Sequence, residues 1–459
     1  MRFKAVACSL AVMSWLSAGL VVPGKAQGPE SQTQQPRSTV YLRYKVIDLG
    51  TLGGPDSQLD GTSGHALNLR GTAVGQADTS AHDPQYPRSN PYVSPNGPDM
   101  FLRQAFERTG SRLVSLGSIG GAKNSSASWV SQSGLVVGVS EDGLTDPHNG
   151  WPEAEAVLWK EGKVINLGTL GGSESAAASV NDQGEVVGYA ANTVRDAFTS
   201  PMFRPGYGTE QRAFLWKNGR MQDLGTLGGP DAAAMFINDR SQVAGVSYTS
   251  IFPNDLTGVP TVDPFFWQKG KMVDIGSLGG TVGSPNSMND EGDVVGVSDL
   301  KGDLKSHPFL WKGGKIMDLG TLGGDFGTAN SINDLGVVVG AADTAGNRAS
   351  VAFLWTGGKM TNLGTLDSDQ CSAAYSVNLL SQAVGSSGSC FAPMNHAFLW
   401  ENGRMIDLNS FVAPGSGVQL TQPVWINDLS QIAVNGTDAN GDVHAFLLVP
   451  EVGVSLPLL

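Results

Sequence analysis

The sequence predicts an all-β fold: an eight-bladed β-propeller of four-stranded antiparallel blades, closed by pairing of the N- and C-terminal strands. Two observations carry the prediction. Three short motifs recur in fixed order along the chain, and the strand fragments left over at its two ends complete one another. A fixed period of about 20–50 residues is the signature of a repeat architecture, in which each unit buries its apolar face against its neighbours.

The first motif is Leu-Gly-Thr-Leu-Gly-Gly. It begins at Leu49, Leu116, Leu167, Leu224, Ile275 and Leu319, then decays to LGTLDS at Leu363 and LNSFVA at Leu408. The last three spacings are 44, 44 and 45 residues, and the surplus over this unit falls in the first half of the chain.

The second motif, Asn-Asp-x-Gly-x-Val-Val-Gly, sets a polar turn ahead of β-branched residues. Its first column reads Asn68, Ser131, Asn181, Asn238, Asn289, Asn333, Asn378 and Asn427. Glycine at the fourth position accepts the positive φ that a tight turn between antiparallel strands requires.

The third motif is an Ala-Phe-Leu-Trp strand, a turn ending in Gly-Lys or Gly-Arg, and a Met-x-Asp-Leu strand. AFLWKNGRMQDLG from Ala213 is the cleanest copy. Trp159, Trp216, Trp267, Trp311, Trp355 and Trp400 share one column. A residue repeated in every unit serves what every unit needs, so these tryptophans are read as packing between blades.

Each unit thus supplies four strands of about five residues, with no helical period. The chain opens on an orphan Met-x-Asp-Leu-type strand at residues 44–49 and ends on an orphan Ala-Phe-Leu strand at 444–448. Pairing them completes the eighth blade and removes both sheet edges, which favours a closed ring over an open solenoid.

HAFLW at His396, together with the DLGTLGG and INDxGxVVG-like segments, resembles the HAF-repeat family of extracellular repeat proteins. The resemblance covers residues 44–450, with histidine in its column at His307, His396 and His444; Gln104, Glu155, Arg212, Asp263 and Val351 stand there in other units. It implies an extracellular location and brings no reaction, substrate or catalytic residue. Some related repeat proteins end in a sorting signal with an apolar span and a basic tail. The ending VPEVGVSLPLL has neither, so that route of anchoring is not expected.

A basic start, an apolar stretch over residues 5–22 and Pro-Gly-Lys-Ala ending at Ala26 read as a secretory signal, residues 1–26. A leader, 27–43, the propeller, 44–451, and a tail, 452–459, follow. An uncleaved membrane anchor is the alternative for the apolar stretch, but small residues dominate it. No other segment is apolar enough to cross a bilayer, so no membrane span is expected in the mature chain. Cys8 lies in the signal. Cys371 and Cys390 flank the hairpin turning at 378–382 and fall opposite one another to within about a residue, so they are read as a disulfide of an extracellular or periplasmic protein. A net charge of −13 argues against nucleic acid and anionic lipid as partners, since both need clustered Lys and Arg.

The surplus length falls in four variable loops that follow the second motif in consecutive units, at 78–102, 141–154, 191–211 and 248–262. Strand direction alternates within a blade, so these loops share one face with the LGG connections, and the Asn-Asp-x-Gly turns share the other. The loops hold Tyr86, Tyr92, Trp151, Phe198, Tyr207 and Phe252 among Asp83, Asp99, Asp146, Glu153, Asp196 and Asp255. Aromatic rings stack on apolar ligand faces and carboxylates accept hydrogen bonds from hydroxyls. The ligand-binding candidates are therefore Tyr86, Tyr92, Trp151, Tyr207, Asp146 and Asp255. The competing reading is that the aromatics pin long loops, which need a core of their own.

Other features read as structural. His82 and His148 are solvated loop histidines before they are acids or bases. The series His307, His396 and His444 is interrupted by Val351, and equivalent positions in separate blades converge only near the axis, so no metal ring is expected. Asp438, Asn440 and Asp442 alternate as calcium ligands do but lack the distal glutamate, which leaves a plain turn. There is no Ser-His-Asp elbow, Walker loop or zinc motif, and no helix follows the LGxLGG glycines, so no nucleotide or other cofactor is expected. The tryptophan-docking repeats of quinone-dependent propellers are absent. Function is read as a secreted binding or scaffolding module for a glycan or an extracellular protein. The alternative is a glycosidase or polysaccharide lyase drawing acid and base from the carboxylates of the same wall.

Overall fold

A computed structural model describes residues 43–60, 64–91, 93–94, 97–121, 123–198, 203 and 208–451. The segments read as secretory signal, leader (except Arg43) and tail lie outside the described residues, as do Tyr92 and Tyr207. The described elements are 32 strands and one 3-10 turn, Leu408–Phe411, and the strands form eight units of four. In the third blade, Ser175–Val180, Val186–Arg195, Thr209–Lys217 and Arg220–Asp223 pair antiparallel in chain order. Blades 1 to 8 begin with the strands Gly53–Gln58, Ser125–Val130, Ser175–Val180, Ala232–Ile237, Gly279–Met288, Gly323–Ile332, Cys371–Val377 and Gln419–Ile426.

The ring closes as the orphan strands predict. Arg43–Asp48 pairs antiparallel with Val443–Glu451, setting Val46 opposite Leu448 and Asp48 opposite Phe446, and so supplies the outer strand of blade 8. Tyr44, Phe446 and Leu448 then share a core with Leu399 of blade 7. Burying such side chains away from water stabilises the junction by about 1.5–3 kcal/mol for each large apolar residue.

The asparagine column does more than turn the chain. Asn181 Nδ2 donates to the carbonyl of Asn238, Asn238 to Asn289, Asn289 to Asn333, Asn333 to Asn378, Asn378 to Asn427 and Asn427 to Asn68, over 2.7–3.2 Å. Asn68 donates to Ser131 at 3.1 Å. Seven of the eight blade junctions therefore carry the same buried rung, and these rungs place the first strand of every blade innermost. Each Oδ1 meanwhile accepts backbone N–H groups of its own turn, as from Glu185 to Asn181 at 2.9 Å. In blades 4, 7 and 8 serine replaces the turn glycine, and Ser241, Ser381 and Ser430 adopt φ of 55°, 59° and 59°.

The crossing from one blade to the next explains the first motif. Gly171 has φ of 109°, and a Cβ on Gly172 would lie 2.6 Å from Cβ of Ala191, so one glycine is needed for its backbone and the other for space. Thr169 Oγ1 ties the turn by donating to the Gly172 carbonyl at 2.8 Å. The aspartate of Met-x-Asp-Leu caps the entry: Asp223 Oδ1 accepts from Gly225 N at 2.7 Å. The tryptophan column packs between blades, as where Trp311 of blade 5 meets Phe266 of blade 4 with ring centroids 4.7 Å apart.

The second strands that enter three of the four long loops run longer than the uniform five residues expected. Ala73–His82, Val136–Thr145 and Val186–Arg195 each have ten residues, because the residues entering the long loops go on pairing past a register shift.

Candidate functional site

The long loops rise from blades 1 to 4 on the face that carries the LGG crossings. Leu52 N donates to the Asp78 carbonyl and Gly172 N to that of Ala191, which fixes the two sets of connections on one face. Successive loops touch. Residues 83–91 cross over blade 2, where Asn90 Nδ2 donates to the Pro152 carbonyl at 2.8 Å, and reach Glu174 of blade 3. Val93 is buried beneath them against Val139, Ala154 and Ala176. Asp146 of the second loop accepts from Ser173 Oγ at 2.9 Å, and Phe203 of the third packs on Tyr248 with centroids 4.5 Å apart.

Of the ligand candidates, Tyr86 is half exposed, with a relative exposure of 50%. It lines a pocket of about 250 Å³ with Pro84, Gln85, Pro87, Arg88, Thr145 and Pro152. Trp151 is partly buried, its backbone N–H donating to Asn149 Oδ1 at 2.7 Å. Asp255 is exposed at the tip of the fourth loop beside Phe252 and Leu256, away from this pocket.

Asp146 differs from the expectation of a ligand-facing carboxylate. It has no exposure, and its oxygens accept from His148 N, Asn149 Nδ2 and Ser173 Oγ, which makes it the clamp of its own loop. The same local geometry recurs along the wall. Asp83, Asp99 and Asp196 each accept the backbone N–H two residues on, at 2.8 Å. Short acidic side chains are spent on turning the backbone. Phe198 and Phe203 likewise pack on Tyr248, so they pin their loop.

A layer of enclosed carboxyls lies under the wall that the sequence did not single out. Glu174 is fully buried, and burial pushes its carboxyl up to about 9 against hydrogen bonds from Ala154 N and Asn90. Glu141, 1% exposed, is pushed up to about 7 by burial, and Asn124 Nδ2 bridges it to Asp83 at 3.1 and 2.9 Å. Asp231, also 1% exposed, rises to about 7 for the same reason. Glu174 holds its proton at neutral pH and the other two titrate close to it, as general acids do, but all three are closed to solvent.

Asp56, Asp78 and Asp99 bring carboxylate oxygens within 4.8 Å of one another, a geometry that suits a cation. Arg103 already threads them, 2.9 Å from Asp78 and 2.5 Å from Asp99, while Asp56 Oδ1 accepts Val443 N. The knot ties blade 8 to blade 1. His307, His396 and His444 sit on third strands, away from the inner ring. His307 pairs with Asp318 at 2.9 Å, His444 with Asp48 at 2.8 Å and His396 with Asp369 at 2.9 Å. Arg212 with Asp223 and Asn166 with Glu155 fill the same clasp in other blades. Residues 438–442 form a turn, with Asp438 Oδ1 accepting from Asn440 N and Asp442 N. No described helix is long and apolar enough to cross a membrane.

No family model matches this chain, and no curated protein matches it. Among solved structures it is similar to the β-propeller domain of the trilobed protease from Pyrococcus furiosus, with an open velcro topology: 9% identity, a TM-score of 0.43, 80% of this chain and 97% of that one. It is also similar to a gluconolactonase from Xanthomonas campestris, at 9% identity and TM-score 0.28 over 73% and 91% of the two chains. A third is the Trypanosoma rangeli sialidase in complex with the inhibitor DANA, at 9% and 0.31 over 89% and 60%. The eight-bladed closed ring rests on the strand pairing of this chain itself.

Proposed function

We propose that this chain is a secreted, non-catalytic binding module of the HAF-repeat type that holds a glycan at the Tyr86 pocket. The observation that carries the reading is the half-exposed Tyr86 ring beside a cavity of about 250 Å³ that also offers Gln85 and Arg88. An aromatic face stacks on the apolar side of a sugar ring, and amide and guanidinium donors meet its hydroxyls or an acidic substituent. The cavity falls below the roughly 300–1,000 Å³ of sites for larger ligands, which suits one sugar unit. The disulfide and the signal-like start support a location outside the cytoplasm.

Catalysis is the weaker reading because the carboxyls of the wall raised to about 7 or above, Glu141, Glu174 and Asp231, are at most 1% exposed. A hydrolase needs its acid within hydrogen-bond reach of the glycosidic oxygen. Titration of the mature chain against a panel of neutral and acidic oligosaccharides tests both. Binding that Tyr86→Ala and Arg88→Ala each weaken about tenfold or more, with no new reducing ends, supports the module. Binding indifferent to both substitutions removes the site, and turnover of a bound oligosaccharide removes the non-catalytic reading.

A further inference from the structure

The opposite face carries a second surface. Its Asn-Asp-x-Gly turns stand side by side, locked by the asparagine rungs, so the side chains at their second and third positions form a continuous rim. In blades 6, 7 and 8 the third position is leucine, blade 7 has leucine at the second as well, and in blade 1 leucine takes the second position while the third is the exposed Arg70. Leu335 is 70% exposed, Leu380 65%, Leu429 59%, and Leu69 and Leu379 38% each. In blades 2 to 5 the third position is Ser133, Gln183, Arg240 and Glu291, and the last two are paired by two hydrogen bonds of 3.0 and 2.7 Å. The leucines of blades 6, 7, 8 and 1 thus form an apolar crescent that ends at Arg70, and the third positions of the remaining blades are polar.

Five carboxylates, Asp182, Asp239, Asp290, Asp334 and Asp428, occupy the second positions of the same turns. Asp182, Asp239, Asp334 and Asp428 each accept a backbone N–H from the preceding blade. Asp290 is pushed up to about 6, first by enclosure in the ring and then by Asp334 and Asp239 beside it. Arg240 lies beside Asp290 and is engaged by Glu291.

We propose that the leucine crescent and the adjoining carboxylates dock an amphipathic segment of a protein partner, its apolar side chains on the leucines and its Lys or Arg over the aspartates. Contiguous exposed apolar surface rimmed by polar groups marks interaction sites. Complementary charge selects the partner: a second copy of this chain would set five aspartates against five more, and an anionic membrane is repelled in the same way. A cationic segment is attracted instead.

The test uses the mature chain and a fluorescent amphipathic helical peptide of leucine and lysine, with a leucine–glutamate peptide of the same pattern as its counterpart. The leucine–lysine peptide binds and the leucine–glutamate peptide does not. L380S/L429S weakens binding about tenfold or more, since two buried leucine contacts are lost. D290N/D334N keeps the oxygen at position 334 that accepts the backbone N–H of residue 290, yet weakens binding and flattens its salt dependence. F252S/L256S, on the long-loop face, leaves it unchanged. Equal binding of the two peptides overturns the proposal, as does an equal loss in F252S/L256S. A wild type that self-associates in sedimentation while L380S/L429S is monomeric also overturns it, because the crescent is then a contact between copies.

Discussion

Asn90 donates from Nδ2 to Glu174, 3.1 Å to Oε2 and 3.3 Å to Oε1, across 84 residues of sequence and one whole blade. The contact straps the first long loop over blade 2 and onto blade 3. It is made to a carboxyl that burial keeps protonated, so the strap joins two neutral polar groups rather than an unpaired charge, which an apolar interior would not tolerate.

Glu174 at about 9, Glu141, Asp231 and Asp299 at about 7 and Asp263 at about 6 all lie above their unfolded values of 4.5 or 3.8, chiefly through burial. Between those limits the folded state binds more protons than the unfolded one, so stability falls as pH rises through the window. His65, pushed down to about 4 by burial, opposes this only below its ordinary 6.5. The melting temperature is therefore expected to fall steadily from about pH 5 to about pH 9. Glu174→Gln keeps the hydrogen-bonding shape without the titration and raises stability at pH 9 by about 1–3 kcal/mol. Calorimetry across this range decides: a melting temperature rising toward pH 9, or a variant profile parallel to the wild type, contradicts the assignment.

The ring was legible because the packing of one blade on the next imposes the same demand eight times, and periodic demands leave periodic sequence. Roles inside the motif were less legible. Asn333 reads as a turn former, yet its amide also reaches Asn378 of the next blade, and only the curvature of the ring brings that carbonyl to 2.7 Å. In the site, Tyr86 stands at a pocket, whereas Asp146 turns inward, because the path of a loop, not residue type, sets a side chain's direction. Buried Glu174 had no sequence signal. Glutamate is rarely enclosed without a partner, and its partner Asn90 belongs to another blade.

Ser131 interrupts the asparagine ring. Its hydroxyl serves its own turn, accepting from Leu135 N at 3.1 Å, and leaves the junction of blades 2 and 3 without the rung made elsewhere. Ser131→Asn supplies it and is expected to stabilise the chain by about 0.5–1.5 kcal/mol. Asn333→Ala removes an existing rung together with the acceptor for Leu335 N and Val337 N, and costs about 1–3 kcal/mol. Urea unfolding of the two variants beside the wild type reads both signs.

Cys371 and Cys390 are bonded, with Cα atoms 5.1 Å apart and a separation of 19 positions in sequence. The bond lies in blade 7, where the LGG crossing has become Leu366-Asp367-Ser368 and Asp367 takes a φ of 37° without glycine's freedom. Cys390→Ala is expected to cost about 2–4 kcal/mol by enlarging the unfolded ensemble. A reductant should lower the melting temperature of the wild type to that of the variant and leave the variant unmoved. A reductant-sensitive variant would show that another group is responsible.

Asp263 occupies in blade 4 the position that His307 holds in blade 5, and it faces Asp274 where His307 faces Asp318. It is 9% exposed, and its Oδ1 has no hydrogen-bond partner. Burial first, and Asp274 second, push it up to about 6, so at pH 8 the fold carries an enclosed charge beside another of the same sign. Asp263→Asn removes the charge and gives the position a donor for Asp274, and Asp263→His recreates the clasp of blades 5 and 8. Both are expected to stabilise the chain by about 0.5–2 kcal/mol at pH 8. At pH 5 the asparagine variant gains almost nothing, because Asp263 is already protonated there and protonation alone relieves the repulsion. Equal gains at both pH values would mean that the shape of the side chain, not its charge, limits this blade.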